Sequence, residues 1–128
     1  MKAEQFQVQG VTIRVERSHE AATVAWEGSS DTRNPAPLLG PILKDITDSI
    51  PGGTVRVDLT RLEYINSASV APLLGFIRAL DSKHIATVIV YDTDVDWQRI
   101  HYQCMKAVAR TLAAVQVTTA REIQTGAS

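Results

Sequence analysis

Cysteine occurs once, at Cys104, and a single thiol excludes an internal disulfide. A chain that folds without oxidised staples fits a reducing cytoplasm, and cytoplasmic is the expected location. Charge of one sign is also lacking. Thirteen Lys and Arg face 14 Asp and Glu, for a net charge of −1. That balance gives no basic footprint for nucleic acid and no acidic tail. No apolar run reaches the roughly 18 residues a membrane helix needs, so no membrane span is expected. The opening "MKAEQFQVQG" lacks the apolar stretch of a signal peptide. No G-x-G-x-x-G, Walker loop or G-x-S-x-G is present, so catalysis by a known motif has no support. What the chain does have is apolar mass. Hydrophobic residues make up 45% of 128, enough for one ordinary core. No linker, repeat or low-complexity segment divides it, and residues 1–128 are read as a single domain.

Periodicity sets the element order. "VTIRVER" puts Val11, Ile13 and Val15 on one face, and "AATVAWEG" puts Val24 and Trp26 on one face. With the polar Ser18-His19-Glu20 between them they predict a hairpin. "SSDTRNPAP" is a loop of breakers. "LLGPILKDITDSI" has helical spacing, and Pro41 is expected in its first turn, where no donor is lost. "TVRVDLT" is a strand, and "RLEYIN" a connection. "SVAPLLGFIRALDSK" is a helix with Val70, Leu73, Leu74, Ile77 and Leu80 inward. "IATVIVY" reads as a strand covered on both faces. The third helix lies within "DTDVDWQRIHYQCMKAVARTL", with an expected core stripe of Trp97, Ile100, Cys104, Val108, Thr111 and Leu112. "AAVQVTTA" is a weak strand, and part of "REIQTGAS" a helix. The order predicts an α/β fold with a mostly parallel sheet of four or five strands, an N-terminal hairpin and surrounding helices.

Several chemical candidates weaken on inspection. "DTDVDWQRIHYQ" opens D-x-D-x-D, but the EF-hand glycine and glutamate places hold Trp97 and Gln103. Asp94 or Asp96 is read instead as a helix cap. His101 and Cys104 are three apart, yet two ligands do not make a zinc site. Cys104 on the expected core stripe would act as a small hydrophobe. A pocket where Asp92 and His101 converge would be the mark of a small α/β enzyme or ligand binder.

The junction "VDLTRLEYINSASVAPLL" carries the most information. Free N–H groups at a helix start attract anions. A serine there serves as a cap worth about 1 kcal/mol, or accepts a phosphate where the helix dipole favours charge. Pro72 favours Ser69 as the cap, because Pro72 would then sit where no donor is needed. Ser67 is then expected just before the helix and exposed.

This junction resembles the signature of STAS domains, the family of bacterial anti-sigma factor antagonists. The signature has a strand ending in Asp-Leu, then an apolar residue, Asp-Ser-Ser/Ala-Gly-Leu and an apolar helix. Asp58, Leu59, Ile65, Asn66, Ser67, Ala68, Ser69 and Val70 stand at its places. The element order is similar over nearly the whole chain. The resemblance implies a non-enzymatic, phosphorylation-gated partner-switching module, with no cofactor or metal. Ser67 would be the regulatory phosphosite, with Ser69 as second choice. Asn66, Ser67, Ala68, Ser69 and Arg33 would meet the partner, a serine kinase or anti-sigma factor, with a phosphatase resetting the switch. Two departures stand out: Asn66 replaces the family's aspartate, and Ser69 its glycine. "LEYINSAS" also resembles STAS-like regulators with Asn-Thr/Ser-x-Ser at this place, which bind and activate a diguanylate cyclase in biofilm signalling. A non-switching STAS scaffold is a further alternative. The expected state is a monomer or a weak homodimer, with the exposed part of the first hairpin free to pair.

Overall fold

The structure, a computed structural model, describes residues 2–126. Its elements are β1 Lys2–Val8, β2 Val11–Arg17, β3 Ala21–Ser30, α1 Ala36–Ser49, β4 Thr54–Ile65, α2 Ser67–Ser82, β5 Ala86–Tyr91, α3 Asp96–Ala109, β6 Val115–Thr119 and α4 Ala120–Gly126. The strands form one sheet in chain order. Pairing is antiparallel from β1 to β3 and parallel from β3 to β6. The predicted α/β class, hairpin and parallel region are all present. No described helix is long and apolar enough to cross a membrane.

Register explains the core. Val15, Val24, Val57, Ile89 and Val117 stand in one row across five strands, with Ile13 opposite Trp26 in the next. All of these but Val117 are fully buried. The alternate positions form the other face, where Arg14 and Arg56 are exposed and Asp58 is half-buried. Each β–α–β crossover moves one strand further in the same direction. Right-handed crossovers therefore place α1, α2 and α3 on the same, apolar face. There α1 packs against α2, and α3 lies over β5 and β6.

Five expectations need correction. The sheet has six strands, because "KAEQFQV" is β1. It covers the outer edge of β2, so the edge open to another copy belongs to β1 and not to the hairpin. Helix α1 starts at Ala36, and Pro41 falls in its second turn. The buried Pro35 and the following Pro37 occupy the helix entrance, where a missing donor costs nothing. Strand β4 does not stop at Thr60; it runs to Ile65 and stays paired with β3 throughout. Lastly, α3 is rotated from the expected stripe. Gln98, Tyr102 and Met105 are buried, and Trp97, Val108 and Leu112 pack against the core half-buried as expected, whereas Ile100, Cys104 and Thr111 are exposed. Nor is β5 covered evenly, since Ala86 is exposed on the outer face.

Candidate functional site: the start of helix α2

The length of β4 creates the site. Strand β5 pairs with β4 only as far as Asp58, so β4 overhangs its neighbour by more than half its length. The overhang would leave backbone groups bare on one side. Buried Gln98 of α3 covers them: its amide nitrogen, Nε2, donates to the carbonyls of Leu62 at 3.0 Å and Thr60 at 3.3 Å. Its Oε1 accepts the Asp92 N–H at 2.7 Å. On the other side β3 follows β4 through two irregularities, ending with Ser30 opposite Ile65. Gly28 allows this path. Its φ is +90°, and a Cβ there would collide with the Gly10 carbonyl oxygen.

At the tip of the overhang stands Asn66, which is the N-cap of α2. Its Oδ1 accepts the Ser69 N–H at 2.9 Å. Its Nδ2 donates to the Thr32 carbonyl at 2.9 Å, and its backbone N–H donates to the Ser30 carbonyl at 2.8 Å. One residue thus caps the helix, joins β4 to β3 and anchors the loop that carries Arg33. The departure from aspartate has a physical reason here. An ionised carboxylate could accept from Ser69 but has no donor for Thr32.

The structure separates the two candidate serines. Ser69 is fully buried, and its hydroxyl is joined to that of buried Ser30 at 2.7 Å. A glycine at position 69 would leave the Ser30 hydroxyl alone. Ser67 is the first residue of α2, not a residue before it, and it is exposed. The expectation that Ser69 caps the helix is overturned, because Asn66 fills that role. Pro72 consequently lies in the second turn of α2. Among the described residues the Ser67 hydroxyl has no hydrogen-bond partner, and neither do the N–H groups of Ser67 and Ala68. Ala68 is exposed as well. Arg33 is exposed on the anchored loop, with no ion pair among the described residues.

Two residues of this end escaped the sequence reading. Tyr64 is 48% exposed, two residues before the cap, and Leu38 is 41% exposed in the first turn of α1. Their exposure was not legible from periodicity. Thr32 and Ser30, which position Asn66 and Ser69, likewise gave no signal in the sequence.

The other candidates do not assemble. Asp92 accepts the Asp94 N–H, while His101 turns Nδ1 to the Tyr91 hydroxyl at 2.7 Å. Depressions of about 630 and 610 Å³ open elsewhere, and neither is lined by Asp92 or His101. Burial raises the Tyr91 phenol well above its ordinary pKa, with Cys104 beside it adding to the effect. Burial lowers His101 from its ordinary value. The phenol therefore keeps its proton, and it shares one hydrogen bond with an imidazole that resists protonation. Neither Asp94 nor Asp96 caps α3, whose N-cap is Val95. Asp94 pairs with Arg121 and Asp96 with Arg99. Among the described residues no three of His, Cys, Asp and Glu gather as a metal site requires.

Among solved structures, the chain is similar to the crystal structure of an anti-sigma factor antagonist from Mycobacterium paratuberculosis. The TM-score is 0.64, and the sequences are 20% identical over 91% of this chain and 92% of that one. The chain thus shares the fold of that anti-sigma factor antagonist. No protein-family model matches the sequence, and no curated protein matches it.

Proposed function

We propose that this chain is a non-enzymatic protein-binding module of the anti-sigma factor antagonist type, switched by phosphorylation of Ser67. One observation carries the reading. Asn66 caps α2, so the Ser67 hydroxyl is exposed and free of structural duty. A modifying enzyme can reach it without opening the fold. Ser69 lacks that freedom, since phosphorylating it would put a dianion into a sealed hydroxyl pair.

The unmodified module docks a protein partner over Ser67, Ala68 and the flanking Asn66, with Arg33, Tyr64 and Leu38 around them. Phosphate on Ser67 adds close to two negative charges beside free N–H groups of a helix start. The module tolerates that charge. A partner that must desolvate it, or that presents its own acidic groups, does not. The partner is a serine kinase that doubles as an anti-sigma factor, with a phosphatase for the reset. The similarity of fold supports this class of role.

The test is affinity capture from the native host's lysate on three baits: wild type, Ser67→Asp and Ser67→Ala. The expected result is a serine kinase or anti-sigma factor held by wild type and Ser67→Ala and lost from Ser67→Asp. Capture of a diguanylate cyclase with the same pattern moves the module to the biofilm branch. Equal retention on all three baits overturns the switch and leaves a scaffold.

A further inference from the structure

Helix α3 has two apolar rows. The inner row, Tyr102, Met105, Ala109 and Leu112, packs on the core below Gln98. The outer row is Ile100, Cys104 and Ala107, continued by Thr111 just past the helix. Ile100 is 65% exposed, and the other three are exposed too. Positions 100, 104, 107 and 111 recur at helical spacing, so they line up as one band about 16 Å long. Trp97 and Val108, both half-buried, border it. A monomer gains nothing from an apolar row on the solvent side of a helix.

The charges around the band identify its occupant. Residues 92–99 contain Asp92, Asp94, Asp96 and Arg99, a net of −2. Residues 100–112 contain Lys106 and Arg110 and no acid, a net of +2. Asp92 and Asp94 lie just before α3 and Asp96 in its first turn, with Asp94 paired to Arg121 and Asp96 to Arg99 on the surface. A segment that is acidic on entry, basic at its end and apolar between is complementary to itself when reversed. The helix dipoles favour the same antiparallel arrangement.

We propose that α3 is a self-association surface, pairing antiparallel with α3 of a second copy about a two-fold axis near Cys104. Such an axis sets Ile100 against Val108 of the second copy. It brings Arg110 within a turn of the second copy's Asp96. Asp96 is held by Arg99 at 2.9 Å, but both side chains are exposed, so this pair rearranges at little cost. Packed helices lie about 8–10 Å apart, which puts the two Cys104 thiols within reach of a short cross-linker. One helix face per copy is a small interface, so the dimer is concentration-dependent.

The test combines sedimentation velocity at rising concentration with cross-linking of the full chain by a short bismaleimide. The sedimentation coefficient should rise with concentration, and a Cys104-dependent covalent dimer should form. Ile100→Arg should lower the cross-linked fraction about tenfold. Ile100 is exposed, and an unchanged thermal melt verifies that the variant folds. Arg110→Glu should also weaken the dimer, and adding Asp96→Arg should restore it, because each copy then supplies both reversed charges. A chain that stays monomeric and uncross-linked at every concentration overturns the proposal and leaves the band to a different protein. A cross-link that Ile100→Arg leaves unchanged overturns it too, as does a charge swap that restores nothing.

Discussion

The starts of α2 and α3 follow neighbouring parallel strands, β4 and β5, but they are fastened by opposite means. Helix α2 has a full side-chain cap in Asn66, tied to β3 and to the loop after it. Helix α3 has Val95 as its N-cap, with no side-chain cap bond. It is fixed instead from inside its first turn, where Gln98 reaches back to β4 and to the end of β5. The first arrangement holds the backbone rigid while leaving the outermost hydroxyl, on Ser67, with nothing to hold. The second leaves no polar atom of its anchor exposed. A surface switch needs the first: an accessible group on a frame that does not depend on it.

The sharpest break in this comparison is Gln98→Ala. It removes three hydrogen bonds, leaving the buried Leu62 carbonyl and the part-buried Thr60 carbonyl and Asp92 N–H without the amide. A loss of about 4 kcal/mol is expected, from unpaired polar groups together with the cavity. Urea denaturation measures it, and a loss below about 1 kcal/mol would show that water replaces the amide freely.

Asn66→Ala comes next, at about 2 kcal/mol for a lost cap and a lost loop anchor. Asn66→Asp divides the two parts. The carboxylate keeps the cap and suits the dipole, yet cannot donate to Thr32. It should cost less than half as much, and amide exchange at residues 31–34 should quicken. Equal costs for the two variants would mean that the Thr32 anchor, and not the cap, carries the stability.

Ser69→Ala should cost about 1 kcal/mol by stranding the Ser30 hydroxyl. Removing both hydroxyls, in Ser30→Ala with Ser69→Ala, should cost less than the two single changes added together. A strictly additive cycle would show that the two hydroxyls do not share one bond.

Legibility from sequence divides along the same line. Strands β2, β3 and β4 were readable because their apolar residues alternate, and β5 because its apolar run is nearly continuous. Strand β1 was not, since among its glutamines and charges only Phe6 and Val8 carry the period. The junction at Ser67 was readable from its change of period and from its resemblance to the STAS signature. Its internal wiring was not. Ser69 is buried by Ser30, 39 residues away, and no local pattern records that distance. The inner face of α3 misled for a related reason. Its outer row, Ile100, Cys104 and Ala107, is the more apolar to the eye. Its inner row is headed by a glutamine that is inside because β4 overhangs β5. A polar residue placed for a distant backbone carbonyl looks like a surface residue until the strand beneath it is known.

A smaller effect tests the α3 side through pH. His101 is half-buried and neutral against Tyr91, and burial lowers its pKa below its ordinary 6.5. As pH falls below that value the unfolded chain takes up a proton that the folded chain resists. Stability should therefore decline as pH drops from about 7 toward 5, since the unfolded state then binds more protons. His101→Gln should flatten that part of the profile in thermal melts across the range. An unchanged slope would assign the decline to other groups.

The smallest stability effect belongs to the residue with the largest proposed consequence. Ser67→Ala removes a hydroxyl that bonds to nothing among the described residues, at the first position of a helix already capped. A change within about 0.5 kcal/mol is expected, since exposed sites away from such features tolerate substitution. Ser67→Asp should be neutral or slightly stabilising, because a negative charge there meets the positive end of the dipole. Both are read from the same denaturation curves as Ser69→Ala, where the cost is real. A measured loss above about 1 kcal/mol for Ser67→Ala would mean that the hydroxyl supports the helix after all. The loss of partner in Ser67→Asp would then have a structural explanation. If Ser67 is silent in stability while Ser69 is not, any loss of binding by Ser67→Asp must arise at the contact itself, from charge on a frame that has not changed.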